Sequence, residues 1–174
     1  HRPLTDNFPK PLLPICGIPL IQRIIESVQS QLEIDTIGVN THYLPEVVQS
    51  WANESPFSDK VQLFQEDEIL GTGGALKNAQ ALFQKGTCLL ANGDVINGID
   101  WNELIKFHKE SNNLVTLAVQ DREHERRVGA DSKMNLVCID KTCSDPDASN
   151  WFGYACAAVY EPEFLEYLPD GESH

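Results

Sequence analysis

The sequence predicts an α/β fold in which a mostly parallel sheet carries helices on both faces. Three observations indicate this class: strand-like and helix-like segments alternate along the chain, their connections are short, and two strand segments are apolar throughout. Uniformly apolar strands are typical of parallel sheets buried on both faces. Because parallel neighbours are joined by crossover helices, the alternation predicts a sheet lying between two helical layers.

In the first half of the chain, the hydrophobic pattern switches between helical spacing and strand-like alternation. Between residues 18 and 32, apolar side chains recur every three or four positions, which predicts a helix with one buried face. Further helices are predicted at residues 45–52 and 75–83, and strands at residues 36–40 and 60–66.

The next part of the chain contains the two uniformly apolar strands, at residues 87–91 and 114–119. Asp100 and Glu103 have the spacing of a capping box, which predicts that a helix begins there. We expect His108 to lie on the exposed surface of this helix.

Beyond residue 119 the regular alternation stops. The dense charge run at residues 121–127 predicts a solvated loop or helix end. Two late strands are predicted at residues 135–141 and 154–160, followed by a short helix at residues 161–168.

The composition is that of an ordinary globular protein with a strong excess of acid. We expect residues 1–174 to form a single domain, because 41% of the residues are apolar. The 13 Lys and Arg residues against 26 Asp and Glu give a net charge of −13, which disfavours nucleic acid and anionic membrane surfaces as partners. A polyanionic ligand must therefore be bound locally, by a few fixed cations, backbone amides or a metal ion.

The five cysteines show neither a C-x-x-C pair nor a zinc-like spacing with histidine. We interpret Cys16, Cys88, Cys138, Cys143 and Cys156 as reduced thiols. No apolar run is long enough to cross a bilayer and no signal-peptide pattern is present, so the expected location is the cytoplasm.

The opening loop presents a cation on a stiff backbone. Lys10 lies between Pro9 and Pro11, and proline restricts both its own φ and the residue before it. A presented ammonium suits a multiply anionic ligand, because less ordering entropy is lost on binding. The alternative is a proline-rich connector with a solvated lysine. Arg2 in the same loop adds a guanidinium that can bind an anion through two hydrogen bonds.

Two further candidate sites follow predicted strands, where open α/β sheets bind their ligands. One is a glycine-rich turn that could approach a planar base or an anion closely, and otherwise only opens a helix. The other is Asp94, a plausible oxygen ligand for Mg²⁺ or else a cap for the next segment. The turn consists of Leu70, Gly71, Thr72, Gly73 and Gly74.

Together these motifs resemble those of the sugar-phosphate nucleotidyltransferases, or NDP-sugar pyrophosphorylases, and most closely the mannose-1-phosphate guanylyltransferase-like members. The matching motifs occur in the family's order. They are RPLT from Arg2, PKPL from Pro9, GIPL from Gly17, the segment from Glu66 through LGTGGA, and Asn92-Gly93-Asp94.

The resemblance implies a Rossmann-like three-layer α/β/α nucleotide-diphospho-sugar transferase fold that couples a sugar 1-phosphate to a nucleoside triphosphate with Mg²⁺. It implies that Lys10 and Arg2 are catalytic groups on the phosphates, and that Asp94 is the metal ligand. It further implies that Asp140 and Lys141 face the sugar phosphate. Nucleotide binding is assigned by resemblance to Glu66, Leu70, Gly71, Thr72, Gly73, Gly74, Asn92 and Gly93.

Glu66 occupies the position at which the family reads the base edge. A carboxylate accepts from two neighbouring N–H donors, which guanine offers, so the sequence favours GTP and with it mannose 1-phosphate. The segment Asn40-Thr41-His42-Tyr43 also resembles the family, without a defined chemical role.

The chain departs from the family pattern at both ends. It lacks the first strand with its glycine-rich phosphate loop and a second metal-binding aspartate, so we expect the domain to be incomplete at both ends. A non-catalytic, nucleotide-sugar-binding regulatory subunit and a phosphocholine-type cytidylyltransferase stay open as alternatives, as does a homo-oligomeric state.

Overall fold

The computed structural model describes residues 4–84, 86–122, 126–139 and 145–169, with the side chain of Arg126 excepted. Helices and strands alternate through the first two thirds of this part of the chain. The helices are α1 (Leu20–Gln29), α2 (Pro45–Glu54), α3 (Gly71–Asn78), α4 (Gln80–Phe83) and α5 (Trp101–Ser111). The strands are β1 (Pro14–Ile15), β2 (Ile18–Pro19), β3 (Ile37–Thr41), β4 (Val61–Gln65), β5 (Cys88–Ala91), β6 (Val115–Gln120), β7 (Arg126–Ala130), β8 (Leu136–Ile139) and β9 (Asn150–Tyr160). Short 3-10 turns span Leu4–Asp6, Lys10–Leu12 and Pro162–Tyr167.

Strands β3 and β4 form a parallel pair whose last residues are paired with each other. Their register aligns Ile37 with Val61 and Thr41 with Gln65, and the amide of Glu66 donates to the carbonyl of Thr41 at 2.7 Å. The chain therefore leaves both strands at the same height, which places the residues after them side by side.

The larger sheet is organised around β9, an 11-residue strand with partner strands on both edges. Val159 pairs with Leu89 of β5 and with Thr116 of β6, so these two strands lie on opposite sides of β9. Strand β7 continues along the edge that β5 occupies, and β8 pairs with β7. The pairing of β6 with β9 shifts register between Leu117 and Val119, opposite the segment that contains Cys156, which has a φ of +60°.

The same helices cover both groups of strands. On one face, Ile21 and Ile25 of α1 share a core cluster with Val39 of β3, whereas Val28 of the same helix belongs to a cluster against which Leu89 of β5 packs. On the other face, Leu76 of α3 and Phe83 of α4 cover the antiparallel strands. An ideal Cβ on Gly38 of β3 would lie 2.4 Å from Leu82 Cδ1, so α4 also lies close over the parallel pair. The result is a layer of strands between two layers of helices.

The predicted α/β class and the order of helices and strands are confirmed, whereas the mostly parallel sheet is not. Among the described strands, β3 and β4 form one parallel pair and five other pairings are antiparallel. Strands β5 and β6 do run in the same direction, because both are antiparallel to β9. Strand β9 lies between them, and its position is set by tertiary packing that the hydrophobic pattern does not encode.

Two local predictions were also wrong. The helix expected at residues 75–83 begins at Gly71 and breaks at Ala79, because the glycines are packed as a first helical turn. The charge run expected to be a loop or helix end enters a strand at Arg126, where pairing with β9 outweighs the local polarity.

The prediction that every cysteine is a reduced thiol is wrong for Cys138, which forms a disulfide bond. Of the described cysteines, Cys16, Cys88 and Cys156 are thiols. Cys143 lies outside the described residues. A disulfide depends on the distance and direction between two side chains, which sequence spacing alone does not fix.

A buried polar cluster lies where β5 begins and β9 ends. His108 of α5 is 1% exposed, so the prediction of an exposed histidine was wrong. Its Nδ1 lies 2.8 Å from Thr116 Oγ1 and its Nε2 lies 2.9 Å from Glu161 Oε1. The hydroxyl of Thr87 donates to the same Glu161 oxygen at 2.8 Å. Burial first, and then the charge of Glu161, raise the pKa of the neighbouring Cys88 thiol to about 11.

None of the helices in the described ranges combines the length and the apolar character needed to cross a membrane.

Candidate active site

The structure brings Lys10 and Asp94 into direct contact. The ammonium of Lys10 donates to Asp94 Oδ2, across 84 positions of sequence. The two side chains are 42% and 26% exposed, so the ion pair is open to solvent on one side. The predicted phosphate-binding lysine and the predicted metal-binding aspartate therefore lie side by side. Their roles in a reaction stay predictions.

The backbone around Lys10 explains why its side chain is presented. The amide of Leu12 donates to the carbonyl of Pro9 at 2.8 Å, and the amide of Leu13 donates to the carbonyl of Lys10 at 3.2 Å. These bonds close a 3-10 turn whose φ angles at Pro9 and Pro11 are restricted by the proline rings. Lys10 consequently begins a stiff turn that directs its side chain toward the end of β5.

The loop after β5 brings Asp94 to this turn. Strand β5 ends at Ala91, and the amide of Asn92 donates to the carbonyl of Cys156 at 3.0 Å. A Cβ built on Gly93 would lie 3.4 Å from the Cβ of Pro11, so the two loops approach each other to within the size of one methyl group. Asn92 and Gly93 thus lead the chain to the carboxylate, while the nucleotide binding predicted for them stays a prediction.

A cavity of about 560 Å³ opens beside Lys10 at the carboxyl ends of β3 and β4. Its wall is mostly apolar, and Lys10 is the one Lys or Arg side chain among the described residues that line it. It is lined by Thr5, Pro9, Lys10, Pro11, Leu12, Ile21, Val39, Asn40, Thr41, His42, Tyr43, Val48, Glu66 and Ile69. A volume of this size lies within the range of small-molecule sites.

Glu66 contributes a buried acceptor to this cavity. The residue is 5% exposed, and its Oε2 accepts the amide of Leu70 at 3.2 Å. Its Oε1 is buried and has no hydrogen-bond partner among the described residues. Because leaving a buried polar atom unpaired typically costs about 1–3 kcal/mol, this oxygen is a candidate acceptor for a donor outside the described residues.

The segment after β3 connects the walls of the cavity. His42 Nδ1 lies 3.0 Å from the carbonyl oxygen of Glu66, and the hydroxyl of Tyr43 donates to the carbonyl of Asp6 at 3.2 Å. The end of β3 is therefore tied both to the residue that follows β4 and to the opening loop.

The glycine-rich segment predicted as a binding turn forms the start of α3. Gly71 has a φ of +71°, a conformation that favours glycine, while Gly73 and Gly74 are buried in the first turns of the helix. Leu70 is joined to the site through its amide bond to Glu66, and the cavity wall is formed by Glu66 and Ile69 rather than by the glycines.

Three predicted site residues lie outside the described residues. They are Arg2, Asp140 and Lys141.

The donors present suit a magnesium ion held mainly by its substrate. The described residues contain no cluster of three His, Cys, Asp or Glu side chains that could hold a metal by themselves. Mg²⁺ is commonly bound by one or two carboxylates, with phosphate oxygens and water completing the shell. Asp94 supplies one such carboxylate, and this donor set therefore fits the ion.

Sequence reasoning assigned no role to several residues that line the cavity, notably Thr41, His42, Tyr43 and Ile69. A usable signal was present, because residues 41–43 follow a strand of an α/β sheet at its carboxyl end, where ligands bind. Ile69 gave no such signal, since an exposed isoleucine in a loop is ordinary.

The comparison with known proteins settles the family. The sequence profile described as Nucleotidyl transferase matches residues 2–132. The chain belongs to this family. It is 28% identical over 174 residues to mannose-1-phosphate guanylyltransferase of Mycobacterium tuberculosis, a match that covers 98% of this chain and 48% of that protein.

A second relative in this nucleotidyltransferase family carries a different name. UTP--glucose-1-phosphate uridylyltransferase of Synechocystis is 24% identical over 190 residues, covering 99% of this chain and 49% of that protein. The chain thus spans about half the length of each of these curated relatives. A family likeness at this level extends to proteins named for different nucleotides, so the base must be argued from the site.

Solved structures support the fold. HddC from Yersinia pseudotuberculosis, crystallised as a complex with GMP-PN, superposes with a TM-score of 0.77 at 20% sequence identity. The match covers 99% of this chain and 76% of that one. At this identity the superposition supports the α/β fold and carries no inference about ligands.

Proposed function

We propose that this protein, as one nucleotidyltransferase domain, couples a sugar 1-phosphate to a nucleoside triphosphate. A phosphate oxygen of the sugar 1-phosphate attacks the α-phosphorus in line. A new P–O bond forms, the bond between the α-phosphorus and the bridging oxygen breaks, and its electron pair leaves with pyrophosphate. The products are a nucleoside diphosphate sugar and pyrophosphate, and no covalent enzyme intermediate is required.

The contact between Lys10 and Asp94 at the edge of the cavity is the observation that carries this proposal. Phosphoryl transfer requires little covalent chemistry from a protein, and depends on positioning and on stabilisation of developing charge. Lys10 supplies the ammonium that binds phosphate oxygens. In the ligand-free protein Asp94 neutralises this ammonium, which keeps the half-buried cation paired until substrate arrives.

Asp94 would hold the magnesium ion. When bound, this ion would supply positive charge that offsets the charge building up on the phosphates. The protein's own contribution is to fix the carboxylate through the packing of Gly93 on Pro11.

GTP and mannose 1-phosphate are the proposed substrates. The free Oε1 of Glu66 can accept from the N1–H of guanine, a donor that adenine and cytosine lack. The name of the Mycobacterium relative supports the same pair. A cytoplasmic location completes the proposal because nucleoside triphosphates are abundant there, although the disulfide of Cys138 gives it no support.

The test uses the complete protein with each nucleoside triphosphate, Mg²⁺ and a panel of sugar 1-phosphates. We expect pyrophosphate release, with the highest rate for GTP and mannose 1-phosphate. Asp94→Asn should abolish release, whereas Asp59→Asn, which changes an exposed aspartate that does not line the cavity, should leave it unchanged.

Three results would contradict this proposal. Full activity of Asp94→Asn would remove that carboxylate from the reaction. Thermal stabilisation by GTP or GDP-mannose without turnover would indicate a non-catalytic regulatory subunit. Turnover confined to CTP and phosphocholine would indicate the cytidylyltransferase.

A further inference from the structure

We infer that His42 is a specificity-determining residue that reads the 2-amino group of the base through its Nε2. The inference deepens the function proposed above and rests on it. It assigns a chemical role to a segment whose role the sequence left undefined, and it follows from the hydrogen bonds around Glu66.

Glu66 by itself offers an incomplete match to guanine. The base presents adjacent donors, N1–H and the 2-amino group, and an ideal partner offers two acceptors side by side. One carboxylate oxygen of Glu66, Oε1, is unpartnered among the described residues, but Oε2 already accepts the amide of Leu70 at 3.2 Å. A second acceptor for the 2-amino group is therefore best sought on a neighbouring residue.

His42 meets this requirement because one hydrogen bond determines its tautomer. Its Nδ1 lies 3.0 Å from the carbonyl oxygen of Glu66, and a carbonyl oxygen can only accept. Nδ1 must therefore carry the hydrogen. In the neutral ring the other nitrogen, Nε2, is then an acceptor with a free lone pair.

The fold places this acceptor beside Glu66. Thr41 and Gln65 are paired in register, so His42 and Glu66 directly follow paired residues on strands about 4.8 Å apart. Both residues line the same cavity, Glu66 being 5% exposed and His42 being exposed. The two residues thus belong to one wall of the cavity.

This arrangement discriminates among bases. Guanine presents adjacent donors, whereas uracil and thymine present one donor between two acceptors and adenine alternates a donor with an acceptor. An acceptor at His42 Nε2 would repel the carbonyl oxygen that uracil places next to its donor. The pair therefore favours a purine that carries both N1–H and a 2-amino group.

Inosine triphosphate isolates the contribution of His42, because it keeps N1–H and lacks the 2-amino group. In a direct binding titration of the complete protein, we expect GTP to bind about 5-fold more tightly than inosine triphosphate, the value of one neutral hydrogen bond. His42→Asn should reduce this ratio to about 1, because asparagine can still donate to the Glu66 carbonyl but has no atom at the Nε2 position.

Two matched variants separate recognition from a structural role. His42→Gln places an amide oxygen near the Nε2 position, so it should retain more of the GTP preference than His42→Asn. Glu66→Gln should weaken both nucleotides by a similar factor and leave their ratio unchanged, because its contact is to the N1–H that both share.

An unchanged ratio in His42→Asn, or an equal loss of affinity for both nucleotides, would overturn the inference. A wild-type protein that turns over nucleotides without distinguishing GTP from inosine triphosphate would also overturn it, and would leave the proposed function intact. If the wild-type protein neither binds nor converts any nucleoside triphosphate, the proposed function fails and this inference fails with it.

Discussion

Two glutamate and histidine pairs in this molecule have opposite hydrogen-bond states. Glu161 accepts from Thr87 Oγ1 and lies 2.9 Å from His108 Nε2, so the oxygen that faces the core is fully used. Glu66 is similarly close to a histidine, but His42 contacts only its backbone carbonyl, and the buried Oε1 has no partner in the described part of the chain.

The Glu161 pair lies at the beginning of β5, whereas the Glu66 pair follows the ends of β3 and β4, in the cavity that Lys10 also lines. Cys88 of β5 is paired with Tyr160, so Thr87 and Glu161 are at its beginning, whereas the loop that carries Asp94 follows its end. The satisfied cluster joins α5, β6 and β9, and we interpret it as part of what stabilises the fold. The unsatisfied oxygen belongs to a residue that lines the cavity. A buried carboxylate oxygen without a partner is costly to keep unless another group donates to it.

The largest expected effect is a loss of activity on substitution of Lys10. Lys10→Met should lower pyrophosphate release by about 10²–10³-fold, because an electrostatic contact to the transferring phosphates is lost. Its melting temperature should stay near that of the wild type, since a partly exposed ion pair adds little stability. Steady-state kinetics and thermal unfolding of the same sample measure both, and a large loss of stability with normal turnover would reverse the assignment.

The next largest effect is a loss of stability on substitution of His108. His108→Leu should lower the free energy of unfolding by about 3 kcal/mol, because Thr116 loses a partner and Glu161 loses its buried donor. Urea denaturation measures the loss. Lys109→Leu, at the neighbouring exposed position of α5, is the control and should change stability by less than about 0.5 kcal/mol. Nucleotide affinity of the folded His108→Leu protein should be unchanged.

The same substitution at each glutamate compares the pairs directly. Glu161→Ala should cost about 2 kcal/mol in the ligand-free protein, because both His108 and Thr87 lose their acceptor. Glu66→Ala should change stability by less than about 1 kcal/mol, because relief of an unpaired buried oxygen offsets the lost bond to Leu70. Equal losses at the two positions in urea denaturation would show that the difference in partners has no energetic consequence.

The smallest effect concerns pH. Burial, followed by the charge of Glu161, raises the pKa of Cys88 from 9.0 to about 11, and burial also raises the pKa of Tyr154 and of Tyr160. The folded state therefore holds these protons more tightly than the unfolded state. The contribution of Cys88 is fully present below pH 9 and is lost as the pH rises toward 11, whereas that of the two tyrosines is fully present below pH 10 and is lost at higher pH.

Urea denaturation between pH 8 and pH 11 measures this loss of stability. Cys88→Ala should make the decline shallower by removing one of the titrating groups. An identical pH dependence of the two proteins would show that Cys88 does not contribute.

Local patterns predicted much of the fold. Seven elements lie close to their predicted positions: strands β3, β4, β5 and β6 and helices α1, α2 and α5. Each of them buries apolar side chains, and the spacing of these side chains along the chain indicates the element. The prediction failed where the burial or pairing of a residue depends on a partner far away in the sequence. From the sequence, His108 is expected on the exposed face of a helix, but it is buried in the folded chain. Arg126 is expected in a charged loop, but it pairs with β9.

The site shows the same division. Lys10, Glu66 and Asp94 could be selected from their motifs, because proline and strand ends limit where such residues point. Their spatial relation could not be read in advance. The contact of Gly93 with Pro11 sets the distance between Lys10 and Asp94, and the register of β3 with β4 sets His42 beside Glu66.

Residue order and composition alone establish the α/β class, the acidic balance that requires local charge compensation, and the residue types available to bind a phosphate. Folding establishes which of these residues meet, that β9 lies between β5 and β6, and which buried carboxylate oxygen lacks a partner in the described ranges. The physical reason is the distance along the sequence over which each kind of interaction acts. Hydrophobic periodicity and backbone restriction act between neighbours in sequence, whereas strand pairing and hydrogen-bond satisfaction depend on groups brought together only by folding.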